Sequence, residues 1–421
     1  IFGPNEIDKL ELCLEEMKRY SRHYQKFINP LREQDADIKR ELNRVEQLEM
    51  TVSYPYLLGI FEDYFQNKIN KTELLEILRL LQTFTFRRFI CNLPTNSLNK
   101  IFATLYENTL KYKVKYPELS FYDCSATILV RYSSYQKFPT DADIADNLKV
   151  KDIYKTQSKN KNYLFEMLEN NYSSFNEMEI NIDQSAKTTK PITIEHIFPQ
   201  NPSIEWKKLL NLEEYEEMKS LSNTLANLTI VINNSSLGNR SFIEKRDLNN
   251  EDSKGFKYSK FHLNEILSNL DSWNLNELNK RYDVLLSKFL DIWKYPIIKE
   301  DILKNKESEM EVDISDVDDV TNKRPEYIVF EGTKTKVDSY RDILKLFVNS
   351  LLKSEPEVLL IPEVKEKIGL TKNESELRRP LKIDQGYFLE GNYSSNSIVR
   401  NIVSLLENSE EFSELLIKFQ E

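Results

Sequence analysis

From Glu6 to about Lys113, apolar residues return every three or four positions: Leu10, Leu14, Met17 and Tyr20, then Leu74, Leu75, Ile77, Leu78 and Leu81. That spacing lays one apolar stripe along a coil of about 3.6 residues per turn, so it predicts amphipathic helices. Pro30, Pro55 and Pro94 stand where such helices end or begin, because proline lacks the N–H that a helix interior needs. A second helical stretch runs from about Glu118 to Ser173. Thr140 offers it an N-cap, and the polar passage from Asn181 to Lys190 reads as a loop.

Between Ile192 and Pro296 the pattern changes. Ile192-Thr193-Ile194 and Leu228-Thr229-Ile230-Val231-Ile232 are β-branched runs that favour extended backbone, and they flank a helical insert, Trp206 to Ser222. Asn233 to Asn239 is turn-rich, and Ser241 with Glu244 three residues later forms a capping box for a following helix. Helices resume from about His262 to Trp293. Asn305 to Asn322 carries Glu307, Glu309, Glu311, Asp313, Asp316, Asp318 and Asp319, which reads as a solvated acidic linker. Beyond it, Tyr327-Ile328-Val329-Phe330 and Tyr387-Phe388-Leu389 read as strands, and Tyr340 to Leu352 and Ser395 to Leu406 as helices. No internal repeat is visible at a period of roughly 20–50 residues. The expected organisation is mainly α: a helical scaffold (1–180), a strand-bearing domain with flanking helices (181–300), an acidic linker (301–324) and a small C-terminal α+β module (325–421).

Composition supports a globular class. At 421 residues the chain exceeds what one core usually organises, and 8 Gly with 40% hydrophobic residues argues against collagenous or disordered classes. Lys+Arg 58 against Asp+Glu 68 gives a net charge of -10, so contact with nucleic acid has to come from a local basic surface. Cys13, Cys91 and Cys124 are scattered and odd in number, which suits a reducing, cytoplasmic setting and no cysteine zinc site. No run approaches the roughly 20 apolar residues of a membrane span, and no secretory h-region is visible. The chain opens at Ile1 without Met, in sequence patterned like structured protein, and is expected to be a piece of something longer.

Candidate chemistry centres on three histidines. His23 sits in a polar helix and is expected to face solvent; His262 heads a helix beside a basic patch, which suits a structural or DNA-backbone role. His196 differs: it ends an apolar strand, follows Glu195, and leads through Ile197-Phe198 into Pro199-Gln200, which stops the strand. Side chains alternate across a strand, so Glu195 and His196 converge on one site only if the backbone turns there. Hydrolysis of a phosphodiester needs a base for water, and imidazole titrates near neutral pH; a hard cation, Mg2+ or Mn2+, would take the Glu195 carboxylate and an amide oxygen. Asn239, at the mouth of the next helix, is the preferred amide ligand, with Asn233 and Asn234 as runners-up, while Asn227 suits bracing the loop that holds His196. Arg240, Lys245, Arg246, Lys254, Lys257 and Lys260 supply a local positive surface for phosphate contacts. The bland alternatives are a structural Glu-His pair and a solvated helix face interleaved with Glu244, Asp247, Glu251 and Asp252.

The ordered set Ile194-Glu195-His196-Ile197-Phe198-Pro199-Gln200, Trp206, Leu225-Ala226-Asn227-Leu228-Thr229 and Asn239-Arg240-Ser241-Phe242 with Lys245 resembles the C-terminal nuclease domain of GmrSD-type restriction endonucleases. Arg87-Arg88-Phe89-Ile90-Cys91, Leu93 to Lys100 and Trp293-Lys294-Tyr295-Pro296 extend the likeness, so that it covers roughly Thr51 to Pro296. The resemblance implies a ββα-metal (His-Me finger, HNH-like) fold and cleavage of foreign, usually modified DNA. His196 is then the general base, with Asn227 beside it in the finger's catalytic asparagine position and Glu195 and Asn239 near the metal. One departure is Ala226, where the family usually has glycine. The family's nucleotide-hydrolysing domain is not represented: neither its Asp-Gly-Gln-Gln-Arg signature nor a P-loop occurs, so that partner is expected ahead of Ile1 and this chain alone is not expected to hydrolyse ATP or GTP. Gly386 to Asn392 and Ser394 to Ile398 resemble accessory ends of restriction proteins, which suits target sensing, subunit contact or a structural cap. A homo-oligomer is compatible with this reading. The competing expectations are a helical DNA-binding or assembly module whose finger is inert without its partner, and an RNA-directed toxin nuclease.

Overall fold

A computed structural model describes residues 7–171, 179–232, 234–250, 254–298, 311–317, 319–409, 411–412 and 415–420. The chain divides into two compact units: residues 1–130 with 138–297, and residues 131–137 with 298–421.

The first unit opens with α1 (Ile7–Ile28), α2 (Ala36–Gln47), α3 (Tyr54–Phe65), α4 (Lys71–Ile90), α5 (Asn96–Lys115) and α6 (Phe121–Arg131), as the apolar spacing predicts. His23 departs from expectation: it is 7% exposed, with Nε2 3.1 Å from the Glu62 carboxylate, because α1 turns this face onto α3. Next come α7 (Asp141–Val150) and α8 (Ser158–Asn170); Thr140 is the expected N-cap, and the structure adds a capping box with Asp143. The polar passage read as a loop contains a single helical turn, α9 (Ile182–Ser185), because the Asn181 side chain accepts the Gln184 N–H.

Strand β1 (Ile192–His196) pairs antiparallel with β2 (Leu228–Ile232), across an insert holding α10 (Ile204–Leu209) and α11 (Leu212–Ser220). Helix α12 (Phe242–Asp247) follows with the expected Ser241–Glu244 capping box, then α13 (Glu265–Ser268) and α14 (Leu275–Ile292). Two five-residue strands cannot enclose a core alone. One cluster therefore joins Phe86 and Ile90 of α4, Ile144 and Leu148 of α7 and Leu164 of α8 with Ile230, Phe289 and Trp293, so the expected boundary at 180 falls inside a shared core.

Arg87 and Arg88, noted in the sequence beside the downstream Trp-Lys-Tyr-Pro, explain this joint. Arg87 is fully buried and donates to the carbonyls of Trp293 (2.7 Å) and Pro139 (2.8 Å) and to Asp141 (2.5 Å). Arg88 donates to Pro94 O and Ser97 Oγ. These arginines are structural.

The second unit, taken by itself, contains β3 (Val312–Asp313), β4 (Pro325–Phe330), β5 (Thr333–Lys336), α15 (Tyr340–Ser354), α16 (Pro362–Ile368), β6 (Pro380–Lys382), β7 (Phe388–Glu390), α17 (Ser395–Asn408) and β8 (Leu416–Phe419). Its main sheet has the order β3-β8-β4-β5. The acidic linker is shorter than expected: residues 301–310 lie outside the described residues, but Val312 pairs with Ile417 and Ile314 is fully buried. Apolar residues between the carboxylates dock this segment onto the sheet, so the α+β module starts before 325. Tyr387 and Tyr393 pack against its core, which answers to the structural-cap reading of these aromatics.

Candidate functional site

The register of β1 and β2 sets the site. His196 lies opposite Leu228, and the ladder continues one step beyond it, Ile197 N–H donating to Asn227 O at 2.9 Å. Asn227 is fully buried and every hydrogen-bonding position of its amide is used. Oδ1 accepts from Phe198 N–H (2.9 Å) and the Trp273 indole (3.0 Å), and Nδ2 donates to the carbonyls of Phe198 and Ser222, both at 2.8 Å. It braces the turn after His196 and has no capacity left for a substrate, so the expectation that it shares the chemistry is corrected to a positioning role.

Backbone pairing puts the side chains of Glu195 and His196 on opposite faces of β1. On one face the His196 ring lies 4.3 Å from the Tyr154 ring, between centroids, and Nε2 is 3.1 Å from Asn223 Oδ1. Asn223 Oδ1 also accepts from Gln200 Nε2 (2.8 Å), and its Nδ2 donates to Asp152 (2.9 Å). Lys161 reaches the Tyr154 carbonyl at 2.7 Å and lies over its ring. Burial pushes the imidazole below its ordinary pKa of 6.5; the Asn223 hydrogen bond opposes that push and the Lys245 charge adds to it. The ring is therefore neutral at neutral pH and keeps 9% of its surface exposed.

This fixes a pH dependence. Because the folded pKa lies below the unfolded one, the stability that the neutral ring contributes is present above pH 6.5 and is lost as pH falls through the folded value. A base of this kind is expected to place the acid limb of a pH–rate profile below pH 6.5 as well. A midpoint above 6.5 that vanishes in His196→Ala counts against the buried, neutral ring.

On the other face Glu195 Oε1 is 2.6 Å from Lys245 Nζ, which also donates to His196 O at 2.6 Å. Lys245 has no exposed surface, so it is not the DNA contact expected from its place in a basic run; the α12 capping box aims it inward. Burial pushes the Glu195 carboxyl up and the Lys245 ammonium down, and their contact opposes both shifts.

A divalent ion would need oxygen ligands here. Oε2 of Glu195 makes no hydrogen bond among the described residues. Asn234 meets the same strand: its backbone N–H donates to Thr193 Oγ1 (3.1 Å) and its Nδ2 to Ile194 O (3.1 Å), and Oδ1 makes no hydrogen bond among the described residues. Thr193 and Glu195 share a face by alternation, so Asn234 meets the face of β1 that also carries Glu195. Oxygen ligands of these two kinds are the type that Mg2+ takes, alongside several waters and further oxygens from a phosphate. Asn239 is exposed, and among the described residues no hydrogen bond ties it to Glu195 or His196, whereas Asn234 bonds the strand that carries Glu195; Asn233 lies outside the described residues. Among the described residues no group of three or more His, Cys, Asp and Glu could hold a metal.

Of the expected basic surface, Arg240, Lys254, Lys257 and Lys260 are exposed. Arg240 donates to Ser236 O and Lys254 to Asn249 Oδ1. Arg246 is committed to Asp247 and Asp271, at 2.8 and 2.9 Å. His262 bonds Glu265 through Nδ1 at 2.6 Å and is placed by Glu169, which accepts its backbone N–H, as a structural reading expects.

Asp152, Tyr154, Lys161 and Asn223 escaped the sequence reading. They stand in or beside loops at no motif spacing from His196, so no local signal marks them; only the fold brings them together.

No curated protein matches the chain. Residues 138–288 match the family model for the C-terminal domain of GmrSD restriction endonucleases. That segment, which holds every residue of this site from Asp152 to Lys260, is similar to the C-terminal domain of GmrSD restriction endonucleases.

Proposed function

We propose that the chain is an endodeoxyribonuclease of a restriction system, acting on modified foreign DNA, with His196 as general base and β1, β2 and α12 as a ββα-metal finger. The observation that carries this reading is a strand-end imidazole held neutral, bonded through Nε2 and with no hydrogen bond at Nδ1 among the described residues, in a segment that also carries exposed Arg240, Lys254, Lys257 and Lys260. Water gives its proton to the imidazole and its oxygen bonds phosphorus. The bond from phosphorus to the leaving sugar oxygen then breaks, and that oxygen takes up a proton from solvent. Glu195 and Asn234 would hold Mg2+ or Mn2+, which would stabilise charge on the phosphate and the leaving oxygen. The likeness to the family favours a nucleotide-hydrolysing partner domain and a cytoplasmic setting.

One observation favours the competing module whose finger is inert without a partner: Lys245 already occupies Oε1 of Glu195. Supercoiled plasmid incubated with the protein and Mg2+ is expected to be nicked or linearised, and EDTA to stop it. An RNA substrate run in parallel separates a toxin nuclease. DNA binding unchanged by EDTA, with no cleavage of modified or unmodified DNA, overturns the enzymatic reading.

A further inference from the structure

The His196 ring is one end of a chain of hydrogen bonds whose other end is a carboxylate. Asp152 is held below the usual carboxylate range: burial works against its charge, but the Asn223 amide and the Lys155 backbone N–H (2.9 Å) and ammonium stabilise it. An ionised carboxylate only accepts, so the group of Asn223 facing Asp152 must be its NH2. That choice turns Oδ1 toward His196, and Gln200 Nε2 donating to the same oxygen agrees with it. A carbonyl oxygen also only accepts, so the imidazole nitrogen 3.1 Å away must carry a hydrogen. The Asn223 backbone is clamped as well, its carbonyl accepting the N–H groups of Ile153 (3.0 Å) and Tyr154 (3.2 Å), so the amide cannot drift from the ring.

We propose that Asp152 and Asn223 are positioning residues that lock the neutral His196 ring as the Nε2–H tautomer and leave Nδ1 as its basic atom. Nδ1 makes no hydrogen bond among the described residues, so this is the nitrogen offered to water. The charged groups around the ring are Asp152, Lys161 and Lys245; the two ammonium groups oppose a second proton, which keeps Nδ1 open. The inference builds on the nuclease reading for its consequence, but the tautomer stands apart from it.

The chain has three histidines, so 15N-histidine labelling gives three imidazole patterns, and the one absent from His196→Ala is His196. Long-range 15N–1H spectra of the whole protein above pH 6.5 are expected to show Nε2 protonated and Nδ1 bare. In Asn223→Ala, whose backbone clamp remains, the two tautomers are expected to mix. In Asp152→Ala the amide is free to flip and the Nδ1–H form is expected to rise.

In cleavage assays both variants are expected to lose at least about tenfold in kcat, short of the roughly 10²–10⁴-fold worth of the base itself, with KM within about twofold. A wild-type ring found mainly as Nδ1–H, or a tautomer unchanged in Asn223→Ala, overturns the proposal whether or not the protein cuts DNA. A wild-type protein that shows the Nε2–H tautomer and cuts nothing removes the nuclease reading and leaves the lock in place.

Discussion

His196→Ala is expected to lower DNA cleavage by about a hundred- to ten-thousand-fold, the usual worth of a general base, with little change in folding. The side chain contributes one hydrogen bond to Asn223 and a ring contact with Tyr154. The neighbouring ion pair does not need it, because Lys245 binds the carbonyl of residue 196 and not its ring. Cleavage rates and thermal unfolding measured on the same preparation separate the two effects. Equal rates for both proteins would take His196 out of the chemistry, whereas a large fall in the unfolding temperature would make it structural.

The largest effect on stability is expected at Lys245. Its ammonium has no exposed surface and satisfies both a 5% exposed carboxylate and a strand-end carbonyl. Lys245→Ala leaves Glu195 buried without its counter-charge, and removing one partner of a buried pair typically costs about 3–5 kcal/mol. Removing both, as in Glu195→Gln with Lys245→Met, strands no charge and is expected to cost less. Urea unfolding followed by tryptophan fluorescence reads this directly, since Trp206, Trp273 and Trp293 all lie in the first unit. A Lys245→Ala loss under about 1 kcal/mol would mean that the pair is not buried as described.

The Lys245 result also bears on cofactor use. The pair meets at the carboxylate proposed for a metal, so a hard cation would have to share that ligand with the ammonium. In the same plasmid assay, an Mg2+ requirement that tightens in Glu195→Asp and disappears in no active variant would show that both are accommodated.

Much of this protein was legible without coordinates, and the legible part was local. The i, i+3, i+4 stripes announced α1 and α4, the β-branched runs announced β1 and β2, Thr140 announced an N-cap and Ser241–Glu244 a capping box, because each depends on residues a few positions apart. Glu195 and His196 were singled out for the same reason, by a strand that stops at Pro199. The partners that give those two residues their properties came only from the fold. Lys245 lies 50 positions from Glu195, Asn223 27 from His196, and Asp152 71 from Asn223. A basic residue in a basic run looks like a phosphate contact until packing turns it inward, and an asparagine in a loop looks idle until a distant carboxylate orients its amide. Sequence by itself determined which elements form and where the candidate base stands. Tertiary structure decided which charges are buried, which amide is spent and which way the hydrogen bonds run, because burial and pairing depend on approach in space, which no local period encodes.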